Sequence, residues 1–146
     1  MEQGKIKNFE KDFPGRAFPF LRSLAIKEME AIRKEFAKKI DLEGISDSLT
    51  LVQFLYSKTK KISYLNADND KFFLSEVFAL AAITPNKQIY IDWGRFDKIY
   101  LMFYEDLNKY FQYIWYPAAD DVSLFDDSFS WILFVSHEGY IDYLKF

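Results

Sequence analysis

Residues 131–136, Trp-Ile-Leu-Phe-Val-Ser, place the tightest limit on how this chain can fold. In an extended segment successive side chains point to opposite faces. Trp131, Leu133 and Val135 would then take one face, and Ile132 and Phe134 the other. A strand that is apolar on both faces must be covered on both sides or lie centrally in a sheet. Residues 98–104, Lys-Ile-Tyr-Leu-Met-Phe-Tyr, repeat the demand.

Around these two runs the other strands fall into place. Residues 88–93 are β-branched and aromatic, bounded by Asn86 and Gly94. Val122–Phe125 is a short strand, and residues 140–145 return from a tight His137-Glu138-Gly139 turn in which Gly139 takes the positive φ. A short helix from Glu105 carries Leu107, Tyr110, Phe111 and Ile114 on one face and stops at Pro117.

The first half reads as helical. Residues 1–16 lack periodicity and contain a Pro14-Gly15 turn signal, so the expectation is an extended or poorly ordered arm packed through Phe9 and Phe13. From Pro19 to Ile40, Leu21, Ala25, Met29, Ile32, Phe36 and Ile40 recur three or four apart, which predicts one helix with Pro19 in its first turn and Gly44 after its end. Ser46, Asp47 and Ser48 cap a second helix to about Lys58. The alternation of Thr50, Val52, Phe54 and Tyr56 keeps a strand open there. A third helix spans Lys71 to about Ile83, with Phe73, Val77, Leu80 and Ala81 in phase. The fold class is α+β: one domain over 1–146, with N-terminal helices packed on a mostly antiparallel sheet of about five strands and a C-terminal hairpin.

Composition removes several functions. With no cysteine, disulfides, thiolate metal sites and thiol nucleophiles are excluded. The polar N-terminus and the lack of a long apolar run predict a cytoplasmic protein with no membrane partner. The net charge of −3 is uneven: residues 1–73 carry about +3 and residues 74–146 about −6. An acidic C-terminal half argues against nucleic acid and suits a basic protein.

The chemistry-bearing residues crowd between Ile114 and Tyr140. Asp120, Asp121, Asp126, Asp127, His137 and Glu138 are the candidate acids and base, with Trp115 and Tyr116 beside them. The spacing fits no ordered calcium loop, and a lone histidine excludes paired-histidine zinc chemistry. Ser136 and His137 are adjacent on a strand end and point apart, so they form no nucleophile–base pair. The single glycines make no phosphate loop. The expectation is no catalytic residue, no metal and no cofactor. The acids act as turn and cap residues, and the aromatics next to them form a partner-binding patch.

Three segments carry a resemblance: residues 91–97 (Ile-Asp-Trp-Gly-Arg-Phe-Asp), 110–121 (Tyr-Phe-Gln-Tyr-Ile-Trp-Tyr-Pro-Ala-Ala-Asp-Asp) and 131–139 (Trp-Ile-Leu-Phe-Val-Ser-His-Glu-Gly). Together they resemble a group of small uncharacterised bacterial cytoplasmic proteins, some of which are similar to immunity proteins of contact-dependent or polymorphic toxin systems. The resemblance implies a stoichiometric binder of a toxin domain and transfers no site residue. The leading expectation is therefore a non-enzymatic protein-binding domain with a patch of Trp115, Tyr116, Asp120, Asp121, Asp126, Asp127, His137 and Glu138. The alternatives are a small metal-dependent or acid–base enzyme using the same acids with His137, or a structural subunit or homo-oligomer.

Overall fold

The computed structural model describes residues 3–44 and 47–146. Its centre is an antiparallel sheet of seven strands: β1 (Phe20–Ser23), β2 (Lys60–Lys61), β3 (Gln88–Asp92), β4 (Ile99–Phe103), β5 (Val122–Phe125), β6 (Trp131–Val135) and β7 (Ile141–Lys145). Their order across the sheet is β1-β4-β3-β5-β6-β7-β2. The fold is α+β as expected. The N-terminal half contributes more than helices, because β1 and β2 extend the expected five strands at the two edges.

The two-sided demand of the central strands is met by helices on both faces. One face packs on α1 (Gln3–Asp12), α4 (Leu74–Leu80), α5 (Tyr104–Lys109) and α6 (Phe111–Ile114). Here Trp131, Leu133 and Val135 meet Phe9, Val77, Phe78, Leu107 and Ile114. The other face packs on α2 (Ile26–Lys39) and α3 (Ser48–Ser57), where Ile132 and Phe134 meet Ile32, Phe36, Leu51 and Leu55. Every residue of β5 and β6 is buried.

Several expectations are corrected. Residues 3–12 form a helix rather than an extended arm, although Phe9 and Phe13 do pack as anticipated. The helix expected from Pro19 starts only at Ile26. Phe20–Ser23 pairs with β4 instead, and the Leu24 N–H donates to Ile99 O at 2.9 Å. The Glu28 carboxylate fixes the boundary by accepting from the Ala25 N–H at 2.8 Å and from both Arg22 guanidinium nitrogens at 2.8 and 2.9 Å. Hydrogen bonding to Arg22 and then to Ala25 pulls its carboxyl down to about 2. At the other end of α2, Asp41 takes the left-handed position at φ 55°, and the Leu42 N–H closes back on Ala37 O at 2.8 Å, three residues before Gly44.

The third helix is shorter than predicted and rotated by one position. Leu74, Val77, Phe78 and Ala81 are buried, whereas Phe73 and Leu80 are exposed. Residues 48–57 are helical, and the Asp47 carboxylate caps the Leu49 N–H at 3.0 Å. Ser46 lies outside the described residues. The Leu107 stripe is buried as predicted, but Tyr110 breaks the segment into α5 and α6.

Candidate functional site

Strand alternation and strand length split the acidic candidates into three groups. Asp120 and Asp121 precede β5 and point to opposite faces of the sheet. Asp126 and Asp127 lie beyond its far end, about 13 Å along a four-residue strand.

Asp120 turns towards α1 and is buried. Its Oδ2 accepts from the Lys5 ammonium and from the Tyr116 N–H, the latter at 2.8 Å. Lys5 is itself buried, and its Nζ sits 3.7 Å from the centre of the Tyr116 ring. Further ties line up along α1: Asn8 donates to the Tyr116 hydroxyl at 3.0 Å, and the Tyr113 hydroxyl donates to Asp12 at 2.7 Å. Just past the helix, Arg16 donates to the Tyr110 hydroxyl at 2.9 Å. Trp115 is buried too, its indole N–H donating to Asp120 O and Ser136 O at 2.9 and 3.1 Å. Trp115 and Asp120 were expected on a partner-facing surface. They form an interior joint that seats α1.

Asp126 is likewise interior. Its carboxylate accepts from the Asn86 N–H at 2.9 Å, the Ser128 N–H at 3.0 Å, the Ser128 hydroxyl and the Trp131 indole N–H at 3.0 Å. Asp127 accepts from the Asn86 side chain at 2.6 Å. Both acids tie the β5–β6 turn to the segment before β3. The expectation of turn and cap roles holds here, and the expected contribution of Asp126 to a surface patch does not.

Asp121 and His137 do come together. Asp121 Oδ1 accepts from the His137 N–H at 2.8 Å and lies 3.0 Å from its Nδ1, with both side chains more than half exposed. Glu138 stands in the same turn. Its carbonyl accepts from Asn66, and Gly139 holds φ 86°. Among the described residues no three acids or histidines are grouped as a metal ion would need.

What joins Asp121 is a set of residues that sequence reasoning did not single out. Across the α2/α3 face of the sheet, register aligns Ile99, Asp92, Ser123, Phe134, Asp142 and Lys61 in one row. Asp92 is buried, and its carboxylate accepts from the Gly94 and Phe96 N–H groups at 3.0 and 2.9 Å, holding a turn in which Phe96 has φ 63°. Burial pushes that carboxyl up to about 6, against the opposing pull of its N–H donors. Over the other end of the row lies Tyr56 of α3. Its hydroxyl donates to Asp142 at 3.0 Å, and its ring packs edge-on against Phe134 at 5.5 Å. The Tyr56 phenol is held above its ordinary value, first by burial, next by this hydrogen bond, then by the charges of Asp142, Asp121 and Glu138.

Val52, Tyr56, Gly94, Asp121, Ser123 and Phe134 line a depression of about 260 Å³ at this end of the sheet, closed by Val122, Val135 and Ser136. Its outer wall is unusual: α3 has no charged residue in Ser-Leu-Thr-Leu-Val-Gln-Phe-Leu-Tyr-Ser. Leu51 and Leu55 are buried, while Leu49 and Tyr56 are exposed and share a flank with half-buried Val52. The site is thus an apolar, aromatic helix flank facing a rim of carboxylates. Two signals for it exist in the sequence: the charge-free decapeptide, and Asp142 between apolar neighbours in the hairpin strand Ile-Asp-Tyr-Leu-Lys.

Comparison with protein-family models, with curated proteins and with solved structures finds no match for the chain. No helix among the described residues is long and apolar enough to cross a membrane.

Proposed function

We propose that the chain is a non-enzymatic protein-binding domain that holds a basic partner on the face made by α3 and the Asp121–His137 end of the sheet. In its most specific form it is an immunity protein that holds a toxin domain. The observation that carries this reading is the uncharged α3, which leaves Leu49 and Tyr56 exposed and sets Tyr56 beside the charges of Asp142, Asp121 and Glu138. Such residues at a surface are ordinarily rimmed by helix charges. Apolar and aromatic area with carboxylates along one edge is the composition of an interface centre with an orienting rim. Asp121 and Glu138 supply charge that is free to meet a partner. Asp120 and Asp126 do not, since their carboxylates are committed inside the fold.

The test is protection. If the product of a neighbouring gene arrests growth when expressed alone, co-expression of this chain restores growth. Tyr56→Ala and Asp121→Lys each remove the protection while the melting temperature stays within a few degrees of the parent. Full protection by both variants, or a neighbouring product with no toxicity and no binding, defeats the reading.

A further inference from the structure

The depression beside Tyr56 contains a polar group that the fold leaves unused. Ser123 is 7% exposed, and its hydroxyl makes no hydrogen bond among the described residues. Buried side-chain hydroxyls are nearly always satisfied. The other buried polar residues follow that rule: Lys5, Asp92, Asp120, Asp126 and Asp142 all have partners. Among the described residues no fully enclosed side-chain polar atom lacks a partner, so the Ser123 hydroxyl opens into the depression it lines.

The groups around it share one chemistry. Asp121, in the lining, has committed only Oδ1, to His137, and its second oxygen accepts no hydrogen bond among the described residues; Asp142 lies outside the lining and holds the Tyr56 hydroxyl in place. The rings of Tyr56 and Phe134 supply flat apolar walls. Among the described residues no lysine or arginine lines the depression. The nearest register cation, Lys61, is opposite Asp142 but has its Nζ 3.8 Å from the Tyr140 ring centre. At about 260 Å³ the space falls below the roughly 300–1,000 Å³ of small-molecule pockets and suits one long side chain.

We propose that this depression is an anchor pocket for an arginine side chain of the partner protein. A guanidinium presents a planar, weakly hydrated body to the rings and a fork of N–H donors to the free Asp121 carboxylate oxygen, with the Ser123 hydroxyl as a further acceptor at the floor. One buried arginine of this kind is a usual centre of binding energy in an interface. The inference deepens the partner-binding reading and rests on it.

The experiment is a titration of the ¹⁵N-labelled full chain with N-acetyl-arginine-N-methylamide, followed by amide chemical shifts. The comparators are the lysine analogue and the citrulline analogue, which keeps the planar shape and lacks the charge. The arginine probe should give saturating shifts at Tyr56, Gly94, Ser123 and Ser136, with a Kd on the order of 1 mM. The lysine probe should bind several-fold more weakly, and the citrulline probe should not saturate. Ser123→Ala should weaken the arginine probe by about 2- to 10-fold, the loss expected of one hydrogen bond. It should also leave the melting temperature unchanged, because that hydroxyl holds nothing in the fold. Absence of saturation, equal shifts with citrulline or lysine, or a fall in melting temperature for Ser123→Ala overturns the pocket. If the arginine probe fails while growth protection still depends on Tyr56 and Asp121, the pocket falls and the partner-binding face stands. If the probe binds and protection fails, the reverse holds.

Discussion

Lys5 and Asp120 are 115 residues apart and share one buried contact. Removing one member of such a pair leaves the other charged without its counter-ion, at a cost of ~3 kcal/mol or more. Lys5→Met should therefore destabilise the chain by about that amount in urea unfolding, and Lys5→Met with Asp120→Leu should cost less than the two single changes together. Strict additivity would mean that the pair does not act as a unit. Asp92 makes a pH prediction. Its folded carboxyl, raised from 3.8 to about 6, favours the protonated form. Its contribution to stability is complete below pH ~4 and is lost as pH rises through about 6, for a total of ~3 kcal/mol. The unfolding free energy of the parent minus that of Asp92→Asn should fall by up to that amount between pH 4 and pH 7. A difference that does not vary with pH contradicts the assignment. These roles were hidden in the sequence. Asp120 and Asp121 look like one cluster, and only the two-residue period of β5 sends one inward to Lys5 and the other outward to His137.

At the scale of elements, turn chemistry was the readable part. Gly139 was expected to hold a positive φ, and it does so at 86°. A Cβ there would also lie 2.0 Å from Asn66 Oδ1, which is itself engaged by the Asp68 N–H. Gly139→Ala should therefore cost ~1–3 kcal/mol. The loss should appear as faster amide exchange in β6 and β7, which that turn joins; unaltered exchange and stability contradict it. Asp47 is the cap of α3, so Asp47→Ala should lower the melting temperature, and an unchanged melting temperature contradicts the cap. The misread elements failed for identifiable reasons. Leu21 and Ala25 continue the stripe of α2 in sequence, but the unpaired edge of β4 offers residues 20–23 backbone partners that a helix would forgo. In α1 only Lys5 and Phe9 are buried, one of them charged, so an apolar count sees no stripe. Spacing of three and four among Ile6, Phe9 and Phe13 was the available signal.

On the scale of the whole molecule, the apolar character of residues 131–135 on both faces required cover on both sides, and two helical layers provide it. That much of the architecture was legible because it follows from strand geometry alone. The proposed binding face was less so. Its residues come from α3, the start of β5 and the end of β6: register sets Ser123 beside Phe134, and α3 lays Tyr56 over them. The same register places Asp127 at the opposite end, which makes it an internal control for charge. The most direct test is quantitative co-purification from the native host, followed by calorimetry with the captured protein. A basic protein should be bound in equal stoichiometry, with affinity falling as salt rises. That binding should be lost in Tyr56→Ala and Asp121→Lys and retained in Asp127→Lys. Equal capture by all three variants, or loss with Asp127→Lys alone, would place the partner away from α3 and Asp121.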